Sequence, residues 1–208
     1  MKPMPGTAGI GLVLLVLNCV PSGYFQLGYH ANRERRFDDA IRYYSLHLKE
    51  HSDDAVAYHN RALAYFCKGD FNSTLSDCEQ ALKLKPDLAQ AYHLCGLVSY
   101  YRRDYEAALA HFNKATELKV DLVETYRYRG RIYLTLGRHE LAISDFSKAI
   151  VLRPGEAEAY DFRGEAHYGL GREERAIEDW RKAHELNPLY PIRPDARKLL
   201  GIKAANEE

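Results

Sequence analysis

VETYRYRGRIYLTLGRHELAISDFSKAIVLRPGE, residues 123–156, carries a pattern whose reading decides the fold. Its apolar or packing positions fall at 4, 7, 8 and 11 and again at 20, 21, 24, 27 and 28, the spacing of two amphipathic helices. Gly137 at position 15 suits the break between them, because glycine takes the positive φ that ends a helix at no steric cost. Pro154 at position 32 stops the second helix. A small residue, Gly130, stands at position 8 and a ring, Phe146, at position 24, so a large side chain faces a small one across the pair.

The same pattern recurs in register on both sides, in blocks 21–54, 55–88, 89–122 and 157–190. Position 4 is tyrosine in all five blocks: Tyr24, Tyr58, Tyr92, Tyr126 and Tyr160. Position 8 reads Gly28, Ala62, Gly96, Gly130 and Gly164, and position 24 reads Tyr44, Cys78, Phe112, Phe146 and Trp180. Position 15 is Gly69 and Gly171 in two further blocks, but Arg35 and Arg103 in the others, where the turn is less well encoded. The first block departs most, with His47 at a position that is alanine elsewhere.

A period of 34 with these residues resembles the tetratricopeptide repeat. The resemblance implies an all-α fold, a right-handed α-solenoid of five helix-turn-helix repeats over residues 21–190. A hairpin of this size cannot bury its own apolar face, so each must stack on its neighbours. Residues 191–208 read as a C-terminal capping helix and tail: Pro194 suits a first helical position, Asp195 suits the positive end of the helix, and Ala196, Leu199, Leu200 and Lys203 share a face.

Position 7 is arginine in three blocks (Arg61, Arg129, Arg163), and position 23 is aspartate in those same three (Asp77, Asp145, Asp179). The other two carry Leu27 with Tyr43 and Cys95 with His111. A guanidinium near the packed middle of a helix needs an answering carboxylate, so three structural ion pairs are expected.

With 29 basic and 29 acidic residues there is no net charge to seek phosphate, and no nucleic acid partner is expected. The catalytic signatures HExxH, GxSxG, the P-loop and the Rossmann glycines are absent from the sequence, which reads as non-enzymatic and without a cofactor. His59 and His93 share position 5, but no third ligand accompanies them, and no metal site is expected. Cys78 and Cys95 occupy packing positions, no CxxC occurs, and a disulfide framework is not expected. Asn72-Ser73-Thr74 is a glycosylation acceptor sequence if the chain enters a eukaryotic secretory pathway.

The resemblance further implies that the first helices line a concave face, with positions 2, 5, 6, 9, 12 and 13 projecting into it. Carried onto this sequence, the partner-binding candidates are Phe25, Tyr29, His59, Asn60, Leu63, His93, Leu97, Tyr101, Arg127, Tyr128, Arg131 and Phe162, with acidic residues near Asp161 and Glu165. Aromatic anchors with a few oriented charges suit a peptide or an amphipathic helix of another protein. The clamp that grips the tails of heat-shock chaperones in similar repeat proteins is not expected: Asn60 fits it, but Phe25, Tyr29, Gln90 and Leu94 stand where Lys, Asn, Lys and Arg belong. The expected function is a protein-interaction scaffold; the rival is a structural subunit of a membrane-associated assembly with no groove ligand.

Residues 10–20 form an apolar run that is too short to span a bilayer alone and suits the core of an export signal or an N-terminal anchor. Val20 and Ser22 would precede a cut ahead of Gly23. The alternative is a helix capping the first repeat of a cytoplasmic protein. That the run ends where the first repeat begins favours export or anchoring, periplasmic in a bacterium.

Overall fold

The computed structural model describes residues 23–118, 122–191 and 193–201. Eleven helices and no strand occur among these residues. They are α1 (Gly23–Arg33), α2 (Phe37–Glu50), α3 (Ala55–Cys67), α4 (Phe71–Leu84), α5 (Ala89–Tyr101), α6 (Tyr105–Glu117), α7 (Val123–Thr135), α8 (His139–Leu152), α9 (Ala157–Gly169), α10 (Glu173–Leu186) and α11 (Pro194–Leu200). The apolar run at 10–20, with its export-or-anchor reading, and Lys203 lie outside the described residues. No described helix is long and apolar enough to cross a membrane.

Within each block from the second onward the first helix starts at position 1, and in all five the second starts at position 17. Asp70 and Asp104 cap α4 and α6, accepting from the main-chain nitrogens of Ser73 and Ala107, whereas α2, α8 and α10 begin after arginines that supply no such bond. The turn residue at position 15 takes a left-handed conformation whatever its identity. Gly69, Gly137 and Gly171 have φ of 79°, 67° and 70°, and Arg35 and Arg103 have 60° and 61°. Stacking of the hairpin thus fixes the turn even where no glycine invites it.

The chain divides into two compact units, the first ending at Pro86 and the second beginning at Asp87. Each is a segment of α-solenoid, with successive helices packed pairwise. In the first, α1 to α3 bury Ala31, Ala40, Tyr44, Leu48, Ala57 and Ala64. Here the irregular His47 is accommodated: it is buried, and its Nε2 lies 2.9 Å from Asp54, which also caps α3. In the second unit, α5 to α10 repeat the hairpin and α11 covers its end, burying Ala196 with Ala176 and Trp180 while Leu199 and Leu200 pack alongside.

The ring at position 24 lies directly against the small residue at position 8. A Cβ placed on Gly96 would sit 2.5 Å from the Phe112 ring, and one on Gly28 or Gly130 would sit 2.9 Å from Tyr44 or Phe146. Tyr44, Phe112 and Phe146 are fully buried by this contact.

The arginines at position 7 make the second recurrent contact. Arg61, Arg129 and Arg163 each donate Nε and Nη2 to the two carboxylate oxygens of Asp77, Asp145 and Asp179, at 2.6–2.8 Å. Their Nη1 atoms cross to position 25 of the preceding repeat, donating to Ser45 Oγ at 3.0 Å, Asn113 Oδ1 at 2.9 Å and Ser147 Oγ at 3.1 Å. Each guanidinium therefore joins three helices. Burial pushes the Asp145 carboxyl above its ordinary range, against the hydrogen bonds from Arg129 that pull it down. Burial also works against the charge on Arg129, yet Asp145 holds that group above its ordinary value. Desolvation and attraction thus oppose each other at both partners, and a buried pair of this kind fixes geometry more than it stabilises.

His59, on α3, has its Nδ1 buried with no hydrogen-bond partner among the described residues, and burial pushes its pKa down from 6.5 to about 4.

Three outcomes are expected. Gly96→Ala destabilises the protein by about 1–3 kcal/mol in urea unfolding, although alanine alone favours a helix over glycine by about 1 kcal/mol. Asp145→Ala costs about 3–5 kcal/mol by leaving Arg129 uncompensated, whereas Arg129→Met combined with Asp145→Leu stays within about 1 kcal/mol of the parent in the same assay. Since the unfolded chain protonates at His59 before the folded one does, its contribution is fully present above about pH 6.5. It falls as the pH drops towards 4, by on the order of 3 kcal/mol; His59→Leu flattens this part of the profile of urea midpoint against pH.

Candidate functional site

The candidate residues fall in the two units and make two local surfaces. On the first unit, Tyr29 is 44% exposed with the Arg33 guanidinium 5.9 Å above its ring, and Leu63 is also exposed. Phe25 does not join them. It packs edge-on against Tyr44 and His47 with centroids 5.7 and 5.4 Å away, as part of the core margin. Asn60 contributes its carbonyl to Asn32 at 3.0 Å, a tie between α1 and α3, and His59 is half-buried beside it.

On the second unit the first helices α5 and α7 bring their rings into contact, and Arg131 of α7 links them to a ring of α9. Tyr100 and Tyr101 close α5, and Tyr128 of α7 stands 5.1 Å from Tyr100, with its hydroxyl 3.4 Å from that of Tyr101. Tyr128 stacks on buried Phe112 at 6.3 Å, and Phe162 of α9 stacks on buried Phe146 at 5.6 Å. The accessible rings are thus backed by the position-24 rings of the scaffold. Burial raises the pKa of the Tyr100 and Tyr128 phenols, so both are neutral hydrogen-bonding groups at physiological pH. Tyr101 is 52% exposed.

Arg131 lies among these rings, its guanidinium carbon 5.1 Å from Phe162, 5.7 Å from Tyr100 and 5.9 Å from Tyr128. Its nearest carboxylate is Glu158 at 3.7 Å, a loose pairing that leaves the cation available at the surface. Tyr100, Arg131, Leu134, Thr135, Phe162, Glu165 and Arg193 line a cleft of about 310 Å³. Stacked rings beside an arginine offer flat apolar contact and directed charge together, which suits a peptide more than a small apolar ligand.

Four further residues expected on the face have other roles. Leu97 is 8% exposed and belongs to the core, because its side chain is covered by packing that repeat position alone does not reveal. Arg127 is consumed by the scaffold, held between Glu158 at 2.9 Å, Glu124 at 3.2 Å and Glu156 at 3.5 Å, so it ties α7 to α9. His93 points its Nδ1 to Thr125 Oγ1 at 2.8 Å. Asp161, expected as an open acid, is 4% exposed and accepts from Arg193 Nε at 2.8 Å and the Tyr190 hydroxyl at 3.4 Å. Arg193 escapes sequence reasoning, yet a signal for it exists. It follows Asp161 by 32 residues, as Thr125 follows His93, so extending the repeat register past Tyr190 brings it to the same place.

Models described as tetratricopeptide repeat match residues 53–119, 96–157 and 157–190. Sperm-associated antigen 1 of Mus musculus is 37% identical over 75 residues, 32% of this chain and 8% of that protein, so the chain spans a small fraction of that relative's length. A MamA crystal structure aligns with a TM-score of 0.69 at 26% identity, covering 78% of this chain and 95% of that one. MamA from Desulfovibrio magneticus RS-1 aligns at 0.70 with 20% identity over 83% and 97% of the two chains. YrrB, described as a TPR protein with an unusual peptide-binding site, aligns at 0.66 with 22% identity over 82% and 88%. The matched models run without a gap from residue 53 to residue 190, over helix pairs that begin anew every 34 residues: the chain belongs to the tetratricopeptide-repeat family.

Proposed function

We propose that this chain is a protein-interaction scaffold and that the face formed by α5, α7 and α9 holds a peptide segment of a partner protein. The observation that carries the reading is the group of rings, exposed Tyr101 with half-buried Tyr100, Tyr128 and Phe162, gathered around Arg131 and backed by buried Phe112 and Phe146. A rigid aromatic surface loses little side-chain freedom on binding, and one loosely paired arginine orients what lies on it. The peptide-binding site ascribed to YrrB, an aligned repeat protein, adds support for a peptide ligand.

Capture of the partner by immobilised protein tests the reading. Tyr101→Ala and Arg131→Gln, both at accessible positions, should each weaken capture at least about tenfold, with thermal unfolding unchanged. Capture that survives both substitutions at full strength rejects this face as the binding surface.

A further inference from the structure

Arg193 stands in the segment between α10 and α11, and its guanidinium is received by one short stretch of α9. Nε donates to the buried Asp161 carboxylate at 2.8 Å, Nη2 reaches Glu165 at 2.8 Å, and the Phe162 ring lies 5.1 Å from the guanidinium carbon. Asp161, Phe162 and Glu165 all belong to α9, so one helix sets the spacing of the three groups that receive the guanidinium. The occupant is held lightly by comparison: α11 has seven residues, of which Ala196 is buried and Leu199 and Leu200 only partly so. The backbone at Arg193 is extended, with φ −61° and ψ 149°, between Pro191 and Pro194. Extended backbone laid against a helix face is also the form in which an extended peptide docks.

We propose that Asp161, Phe162 and Glu165 form an arginine-recognition pocket for the partner segment, filled by Arg193 in the free protein, which the partner displaces with an arginine of its own. The inference rests on the peptide-holding reading of this face and names the chemistry of the segment. Two carboxylates are engaged by two different nitrogens while a flat ring covers the cation's face. A guanidinium meets all three demands with a flat, fixed fork of donors, a geometry that the compact point charge of a lysine ammonium lacks. Burial raises the pKa of Asp161 and Glu165, so an empty pocket is unfavourable and a second arginine is the natural replacement for the first. Phe162 has Arg131 at 5.1 Å as well, so the pocket opens directly onto the aromatic surface on which the rest of the segment would lie.

The test uses the full chain carrying Arg193→Ala, titrated in NMR experiments with the tripeptide N-acetyl-Gly-Arg-Gly amide and with its citrulline counterpart, which keeps the shape and loses the charge. The variant is expected to bind the arginine peptide at least about tenfold more tightly than the citrulline peptide, and at least about tenfold more tightly than the intact chain does. Adding Glu165→Gln, at a half-exposed position, should erase most of that preference. Should Arg193→Ala fail to fold, Arg193→Lys takes its place and is expected to bind the arginine peptide more tightly than the intact chain. Equal binding of the two peptides, equal binding by intact and variant chains, or no binding by a folded variant overturns the pocket. Each of those results leaves the Tyr101 and Arg131 capture experiment standing, so the two readings fail separately.

Discussion

The structure depends on how closely the two helices of a repeat approach at one point, where, in four of the five repeats, a ring from the second lies on a glycine of the first that has room for little beyond a hydrogen. At Gly96 the ring of Phe112 comes nearer than any side-chain carbon would tolerate. Burial of the ring is favourable by the apolar area removed from water, and the approach that permits it sets the spacing of the hairpin. That spacing brings Tyr128 onto Phe112 and Phe162 onto Phe146, so the accessible rings of the candidate surface inherit their positions from the packing beneath. The binding face is thus the upper layer of the core.

The arginine at position 7 works on a different scale. Ring and glycine act within one repeat, whereas the guanidinium spans its own two helices and the second helix of the repeat before. It is charged, mostly buried and matched on both sides, a combination that costs about as much in lost hydration as it returns in attraction. Its value lies in direction: two nitrogens fix the carboxylate and a third fixes the neighbour. Nearest-neighbour coupling of this kind makes a stack of repeats cooperative.

Much of this architecture was legible in the sequence because it is periodic. Tyrosine at position 4, the small residue at 8 and the ring at 24 mark helix pairs whose starts at Ala55, Ala89, Val123 and Ala157 coincide with the block boundaries. The joint appearance of Arg61 with Asp77, Arg129 with Asp145 and Arg163 with Asp179 also reads as contact. What the spacing does not carry is accessibility and partnership between neighbours. Leu97 and Tyr101 both belong to the face by their positions in α5, yet one is buried and the other is half exposed. Arg127 and Arg131 differ by one helical turn, and only the first is enclosed by three glutamates. Arg193 lies beyond the last repeat, and only the repeat register carried past Tyr190, which pairs it with Asp161 as Thr125 is paired with His93, points to it. Arg35 and Arg103 reach a left-handed conformation that their identity does not announce, because the hairpin around them demands it.

The bond from each arginine to position 25 of the preceding repeat gives the array a grammar. Ser45, Asn113 and Ser147, a hydroxyl or an amide, precede the three repeats that contain the arginine, while the second and fifth repeats carry Glu79 and Arg181 at that position. Repeats that look interchangeable by length and packing are therefore marked for their successors. Transplanting the fourth repeat to follow the fifth would set Arg129 against Arg181, and the array could not grow by copying that unit onto its end without a compensating change in the neighbour. Order along the chain is written in these polar side chains, apart from the apolar pattern that writes the fold.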